Sequence, residues 1–222
     1  MDQLEGFYRE IKSGMTVKEF INRRNQLTPF IIESEELKND YRLAKGRLKK
    51  LRDEIAPMTR FVSVHAETED RIQFPFDNGP IDCNLWHGKN RHRKIQITGA
   101  QRLERLNLMG RLNKTGKSGG YLGLIDNEPK EEFLKKMNED LHVYSIKNAR
   151  ETVIKAVRRC IVRKADSREA DTLIIDVPLH YLPSEKWRGI EREFSRETAK
   201  SPFSEIFLVG VDNGGNQCIR IK

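Results

Sequence analysis

Three cysteines, two tryptophans and no long apolar run set the first limits on this chain of 222 residues. Cys83, Cys160 and Cys218 are odd in number and far apart, so the sequence holds neither a disulfide framework nor a C-x-x-C metal site. A reducing, cytoplasmic setting is expected. No stretch approaches the roughly 18 apolar residues that a membrane span needs. The opening MDQLEGFYREIKSG is charged where a secretory signal needs an apolar core. Neither membrane insertion nor export is expected, and internal repeats and low-complexity tracts are missing as well.

Positive charge is in surplus. Lysine and arginine number 41 against 33 acidic residues, a net charge of +8. Such a surplus favours a polyanionic partner, because each neutralised phosphate releases condensed counterions. Nucleic acid, DNA in particular, is the expected partner; mild basicity without a specific partner is the plainer alternative. Hydrophobic residues make up 37% of the chain, enough at this length for a core that needs no covalent staples.

The first 56 residues read as helices. Leu4, Phe7, Tyr8 and Ile11 form one apolar stripe, and Thr16 with Glu19 has the spacing of a capping box. From Glu35 to Ile55 the positions Leu37, Tyr41, Ala44, Leu48, Leu51 and Ile55 alternate spacings of four and three, which predicts a third helix ended by Pro57. That seam suits a dimer contact between two copies, a basic helix on DNA, or packing inside its own domain, and Gly46 weakens its middle.

After Pro57 the period changes to two. RFVSVHAE (60–67), DRIQFPF (70–76), IDCNLWH (81–87) and RKIQIT (93–98) read as strands of an antiparallel meander, with turns at Asp77-Asn78-Gly79-Pro80 and Gly88-Lys89-Asn90. AQRLERLNLMGRL opens a helix, and one or two more are expected from Lys130 to Arg163. Two continuous apolar runs, DTLIIDVP (171–178) and EIFLVGV (205–211), read as buried strands, with a helix over about Ser184 to Ala199 between them and the closing QCIRIK after them.

This order, with its local residues, resembles the PD-(D/E)XK nuclease superfamily over roughly residues 57–222. In that superfamily an acid starts the second core strand, a pair of the form (Glu/Asp/Gln)-x-Lys lies on the third, and a helix follows at once. Here PID places Asp82 at the first position, QIT places Gln96 and Thr98 at the second, and Ala100 to Leu108 supplies the helix. The resemblance implies an α/β fold with a restriction-endonuclease-like mixed sheet, an antiparallel meander followed by helix, strand, helix and strand. Residues 1–56 would form a helical N-terminal appendage.

The implied activity is metal-dependent hydrolysis of DNA phosphodiester bonds, with Mg²⁺ or Mn²⁺ as cofactor. The alternative is the same fold with a decayed site, binding nucleic acid or protein. Hydrolysis of this kind needs a cation held by oxygens and positive charge near the phosphate. Asp82 would anchor the metal, Gln96 would be a second ligand or position water, and Lys94 and Thr98 would lie near the scissile phosphate. Alternate residues of a strand share a face, so Lys94, Gln96 and Thr98 should line one side. Thr98 stands where a lysine is usual and Gln96 carries no charge. Either a further acid assists, with Glu36, Glu67 and Glu69 as candidates, or catalysis is weak or lost; Lys94, two positions along the same face, is the candidate to replace the missing cation.

The basic turn HGKNRHRK, with Lys89, Arg91, His92 and Arg93, and the loop residues Lys114 and Lys117 are expected to touch the phosphate backbone. Three other constellations are weaker. Gly116-Lys117-Ser118 resembles the end of a P-loop, but Arg111 stands where its first glycine belongs. His65, Cys83, His87 and His92 match no common zinc spacing. Trp86 and Trp187 read as core or edge packing rather than base-stacking platforms, with Trp86, beside the basic turn, the exception to check.

Overall fold

The computed structural model describes residues 3–77, 79–88, 91–118, 131, 135, 145–166, 169–212 and 215–222. Lys89, the stretch YLGLI and most of the expected helical segment between residues 130 and 144 lie outside the described residues.

Helix α1 (Gln3–Ser13) buries Leu4, Phe7 and Ile11. A two-residue strand, β1 (Met15–Thr16), leads directly into α2 (Val17–Glu33). The capping box is present: Thr16 Oγ1 accepts from the Glu19 N–H at 3.2 Å, and Glu19 Oε2 accepts from the Thr16 N–H at 2.9 Å.

The continuous helix expected from Glu35 to Ile55 is not formed. Helix α3 (Glu35–Arg42) stops, and the chain reverses through Ala44 and Gly46, both in left-handed backbone conformation. It resumes as α4 (Leu48–Lys50), followed by a π-helical turn over Leu51–Ile55. Ala44, Leu48, Leu51 and Ile55 are all buried within the chain itself, so the seam is consumed by its own core.

Nor does Pro57 end the helix. It is the second residue of α5 (Ala56–His65), which continues directly from the π-helical turn before it. RFVSVHAE is therefore helical for most of its length rather than a strand. Its β-branched Val62 and Val64 favoured the extended reading. Ile55, Met58, Phe61 and Val62, all buried, also repeat at three and four residues, and burial of that stripe prevailed over local propensity.

Among the described residues seven strands form one open mixed sheet, with β1 at one edge followed by β2 (Arg71–Gln73), β3 (Cys83–His87), β4 (Arg91–Gly99), β5 (Thr172–Asp176), β6 (Glu205–Asp212) and β7 (Gly215–Arg220). Pairing is antiparallel from β1 to β4, parallel from β4 through β6, and antiparallel again for β7. Helix α6 (Arg102–Thr115) follows β4, and α7 (Ile146–Lys164) precedes β5. The helix expected over Ser184 to Ala199 is broken by Gly189 at φ +71° into two 3-10 turns, Ser184–Trp187 and Ile190–Phe194, and α8 (Ser195–Lys200). Among the described residues no helix is long and apolar enough to cross a membrane.

Alternate residues of a strand face opposite sides, and two cores result. On one face Ile95, Ile97, Ile174 and Phe207 pack with the helices of the first 65 residues. On the other, Leu173, Ile175 and Leu208 pack with Val153, Val157 and Ile161 of α7 and with Trp187, whose Nε1–H donates to the Leu179 carbonyl at 2.8 Å.

Gly210 of β6 marks the closest approach in this layer. A Cβ there would lie 2.5 Å from the Val177 carbonyl oxygen and 2.8 Å from Leu179 Cγ. Because the first obstacle is backbone, relief requires the strand to move. Gly210→Ala should cost about 2 kcal/mol in urea unfolding, and an unchanged midpoint would mean that this layer yields freely.

Candidate functional site

Strand β4 outruns its partner. Pairing with β3 ends at Cys83 opposite Ile95, so residues 96–99 of β4 have a strand neighbour on the β5 side alone. The Ile97 N–H on the open side is taken by the Asp82 carboxylate, with Oδ2 accepting at 2.7 Å. Asp82 thus stands in for the missing strand, and its own N–H donates to the Ile95 carbonyl.

This unpaired edge forms the wall of a cavity of about 350 Å³. The π-helical turn closes one side, α6 another, and the end of α7 a third. An adjoining cavity of about 410 Å³, reaching Phe76 and Gly79, shares Lys49, Glu54 and Asp82 with the first, so a groove runs past these three residues.

Four carboxylates and six cations line the main cavity. Asp53 receives Arg102 at 3.0 Å and Lys49 at 3.4 Å. Asp176 receives Arg60 at 2.6 Å and also Arg105. Asp82 and Glu54 differ, because neither forms an ion pair among the described residues. Burial pushes the Glu54 carboxyl up to about 7, and the neighbouring Asp82 charge adds to the rise against the opposing pull of Lys50 and Lys49. Asp82 is also raised by burial, opposed by the Ile97 hydrogen bond and by Lys164, Lys50 and Lys49.

Two acids that interact in this way repel as anions, and a divalent cation would relieve both. Their hard oxygens suit Mg²⁺ or Mn²⁺, which accept one or two carboxylates and complete their shell with water and phosphate oxygens. Among the described residues no group of three or more metal-ligating side chains converges.

The acid that lines both cavities with Asp82 is Glu54, which is not one of those expected. Glu36, Glu67 and Glu69 are exposed and line neither cavity. Glu54 takes the place through the π turn, in which the Ala56 N–H reaches back five residues to the Leu51 carbonyl. The extra residue rotates the helix by about 100° relative to regular periodicity. No reading of the a/d pattern would show that.

The residues of β4 divide. Thr98 lines the cavity, and its Oγ1 accepts from Arg163 Nη2 at 2.8 Å, which holds a guanidinium at the cavity edge. Gln96 is buried outside the cavity: its Nε2 donates to the Pro80 carbonyl at 3.0 Å, and Oε1 has no partner among the described residues. Lys94 is exposed near the other end of the strand and does not line the cavity. Cationic groups reach the open edge from helices instead, as Arg102, Arg105, Arg163 and Lys164.

At the hairpin, Arg91 and His92 are exposed, and the His92 ring stacks on Trp86 with centroids 4.7 Å apart. Arg93 is committed inward, 2.9 Å from Glu205. Lys114 and Lys117 are exposed around the C-terminus of α6, which Gly116 closes in left-handed conformation. The histidines and Cys83 do not converge: His65 stacks on Phe61, His87 lies 2.6 Å from Asp70, and Cys83 is in the core. Comparison with family models, curated proteins and solved structures finds no match to this chain.

Proposed function

We propose that the chain is a metal-dependent nuclease of restriction-endonuclease-like fold that hydrolyses DNA phosphodiester bonds. One observation carries the reading: the two cavity carboxylates without ion-pair partners, Asp82 and Glu54, meet in a groove whose other walls are largely cationic. The order of meander, helix and parallel strands supports it.

Asp82 and Glu54 would hold a single Mg²⁺ or Mn²⁺. Such an ion polarises the phosphate and acidifies a bound water. Asp82 is fixed by the Ile97 N–H, so one oxygen is anchored while the carboxylate remains against the cavity. Lys164 lies close enough to Asp82 to act on its charge, and Arg163 is positioned by Thr98; both bring positive charge to a phosphate entering the groove. The exposed residues Arg91, His92, Lys114 and Lys117 would follow the flanking backbone.

A second reading, the same fold retained for binding after loss of catalysis, is favoured by Gln96, which points its amide at Pro80 rather than into the cavity. Incubation of supercoiled plasmid with Mg²⁺ or Mn²⁺ separates the two. Nicking or linearisation by the wild-type chain that disappears in Asp82→Asn and in Glu54→Gln, with DNA retention in a gel-shift assay unchanged, is expected. Retention without cleavage in any metal would establish the second reading.

A further inference from the structure

Arg52 is the most buried cation of the cavity. It is 9% exposed, its Nη1 atom is fully enclosed, and its guanidinium makes no hydrogen bond or ion pair among the described residues. The two N–H donors of Nη1 are costly so placed, because a buried charged group without a hydrogen-bonded partner loses its hydration without replacement. Burial and the like charge of Arg105 both weigh against its protonated form, and Asp53, Asp176 and Tyr41 offset this only through space.

Two further guanidinium groups share the wall. Arg102 and Arg105 are three residues apart on α6 and therefore neighbours on one face. Arg102 gives Nη2 to Asp53, but its Nε is buried without a partner among the described residues. Arg105 is held by Asp176. Gln101, at φ +54° immediately before α6, makes the tight strand-to-helix turn that brings both arginines over the open end of β4.

We infer that Arg52, Arg102 and Arg105 form a binding site for a phosphate group, distinct from the Asp82–Glu54 pair in the same cavity. Guanidinium groups present planar forks of donors, and a tetrahedral oxyanion accepts from several directions at once, where a carboxylate offers one plane. The carboxylate pair would repel the same anion, so the cavity is divided into a cation-seeking half and an anion-seeking half. Only the origin of the phosphate, a backbone diester or a terminal monoester of a nucleic acid, rests on the nuclease reading; the site itself does not.

The test is titration of the full chain with inorganic phosphate at constant ionic strength, followed by calorimetry and by melting temperature. Phosphate should bind and raise the melting temperature beyond what chloride does. Arg52→Gln and Arg102→Gln should each weaken binding about tenfold, the loss of one charge-assisted contact. Arg52→Gln without phosphate should be at least as stable as wild type, since it removes an uncompensated buried charge. Asp82→Asn should retain phosphate binding even where cleavage is lost, which keeps this inference separable from the catalytic one. A 5′-phosphorylated single-stranded oligonucleotide binding more tightly than its 5′-hydroxyl form assigns the site to a terminal phosphate, and equal binding assigns it to the backbone. Phosphate acting no more strongly than chloride, or binding unaltered in both arginine variants, would overturn the site.

Discussion

Asp176→Asn is expected to destabilise the chain by about 3 kcal/mol, near the lower end of the cost of breaking a buried ion pair from one side. Asp176 closes β5, and its side chain is 8% exposed. It serves Arg60 from α5 and Arg105 from α6, at 21% and 30% exposure, and so ties both helices to the end of the sheet. Asparagine preserves the shape and one acceptor but leaves two guanidinium groups facing each other, with Arg52 close by. For a chain of this length the loss corresponds to a fall of roughly 6–12 °C in melting temperature. Restoring neutrality by Arg60→Met with Arg105→Met in the Asp176→Leu background should recover much of it, because the penalty lies in unpaired charge rather than in lost volume. A loss below about 1 kcal/mol in Asp176→Asn would show that water reaches and screens the cluster.

The second large effect concerns pH. In the folded chain Glu54 is raised to about 7 from its ordinary value near 4.5, first by burial and then by Asp82. Between those values the folded state holds a proton that the unfolded state has released. The stabilising contribution is therefore complete below about pH 4.5 and is lost as the pH rises through 7. Metal-free wild type should lose about 2 kcal/mol relative to Glu54→Gln between pH 5 and 8, a figure reduced for the partial exposure of Glu54. Asp82, raised in the same direction by burial, adds to the slope.

Mn²⁺ should reverse the trend. It binds the doubly ionised pair, so its stabilisation grows with pH in wild type and is weakened in Glu54→Gln. Chemical denaturation at pH 5, 6, 7 and 8, with and without Mn²⁺, reads both effects. Parallel profiles for wild type and Glu54→Gln in metal-free buffer would show that Glu54 ionises freely in solvent. That outcome would remove the chief support for the metal-dependent reading.

Local periodicity carried much of the sheet. The alternation through IDCNLWH and RKIQIT, separated by Gly88-Lys89-Asn90, determined a hairpin, and β3 and β4 pair as that pattern requires. The continuous apolar runs DTLIIDVP and EIFLVGV determined strands covered on both faces, and β5 and β6 are parallel neighbours in the interior of the sheet. Thr16 and Glu19 determined where α2 begins. These features depend on residues adjacent in the chain or on one repeating period.

Sequence reasoning also singled out Asp82 and Thr98, both of which line the cavity, but it could not select their companions. Glu54 comes from a π turn that a regular helical period conceals, and Arg163 is brought to Thr98 from 65 residues along the chain. Gln96 and Thr98 share a face by alternation and both lie past the end of β3, yet only their tertiary partners decide which lines the cavity: Gln96 is turned to the Pro80 carbonyl, and Thr98 meets Arg163. RFVSVHAE satisfied both a strand period and a helical one; burial against the sheet selected the helix. The sequence by itself determined the β3–β4 hairpin, the apolar strands β5 and β6, and Asp82 as a candidate. Tertiary structure decided that Glu54 and the guanidinium groups line the cavity with Asp82, because the energy of bringing charges together depends on distance and burial in space, which spacing along the chain does not encode.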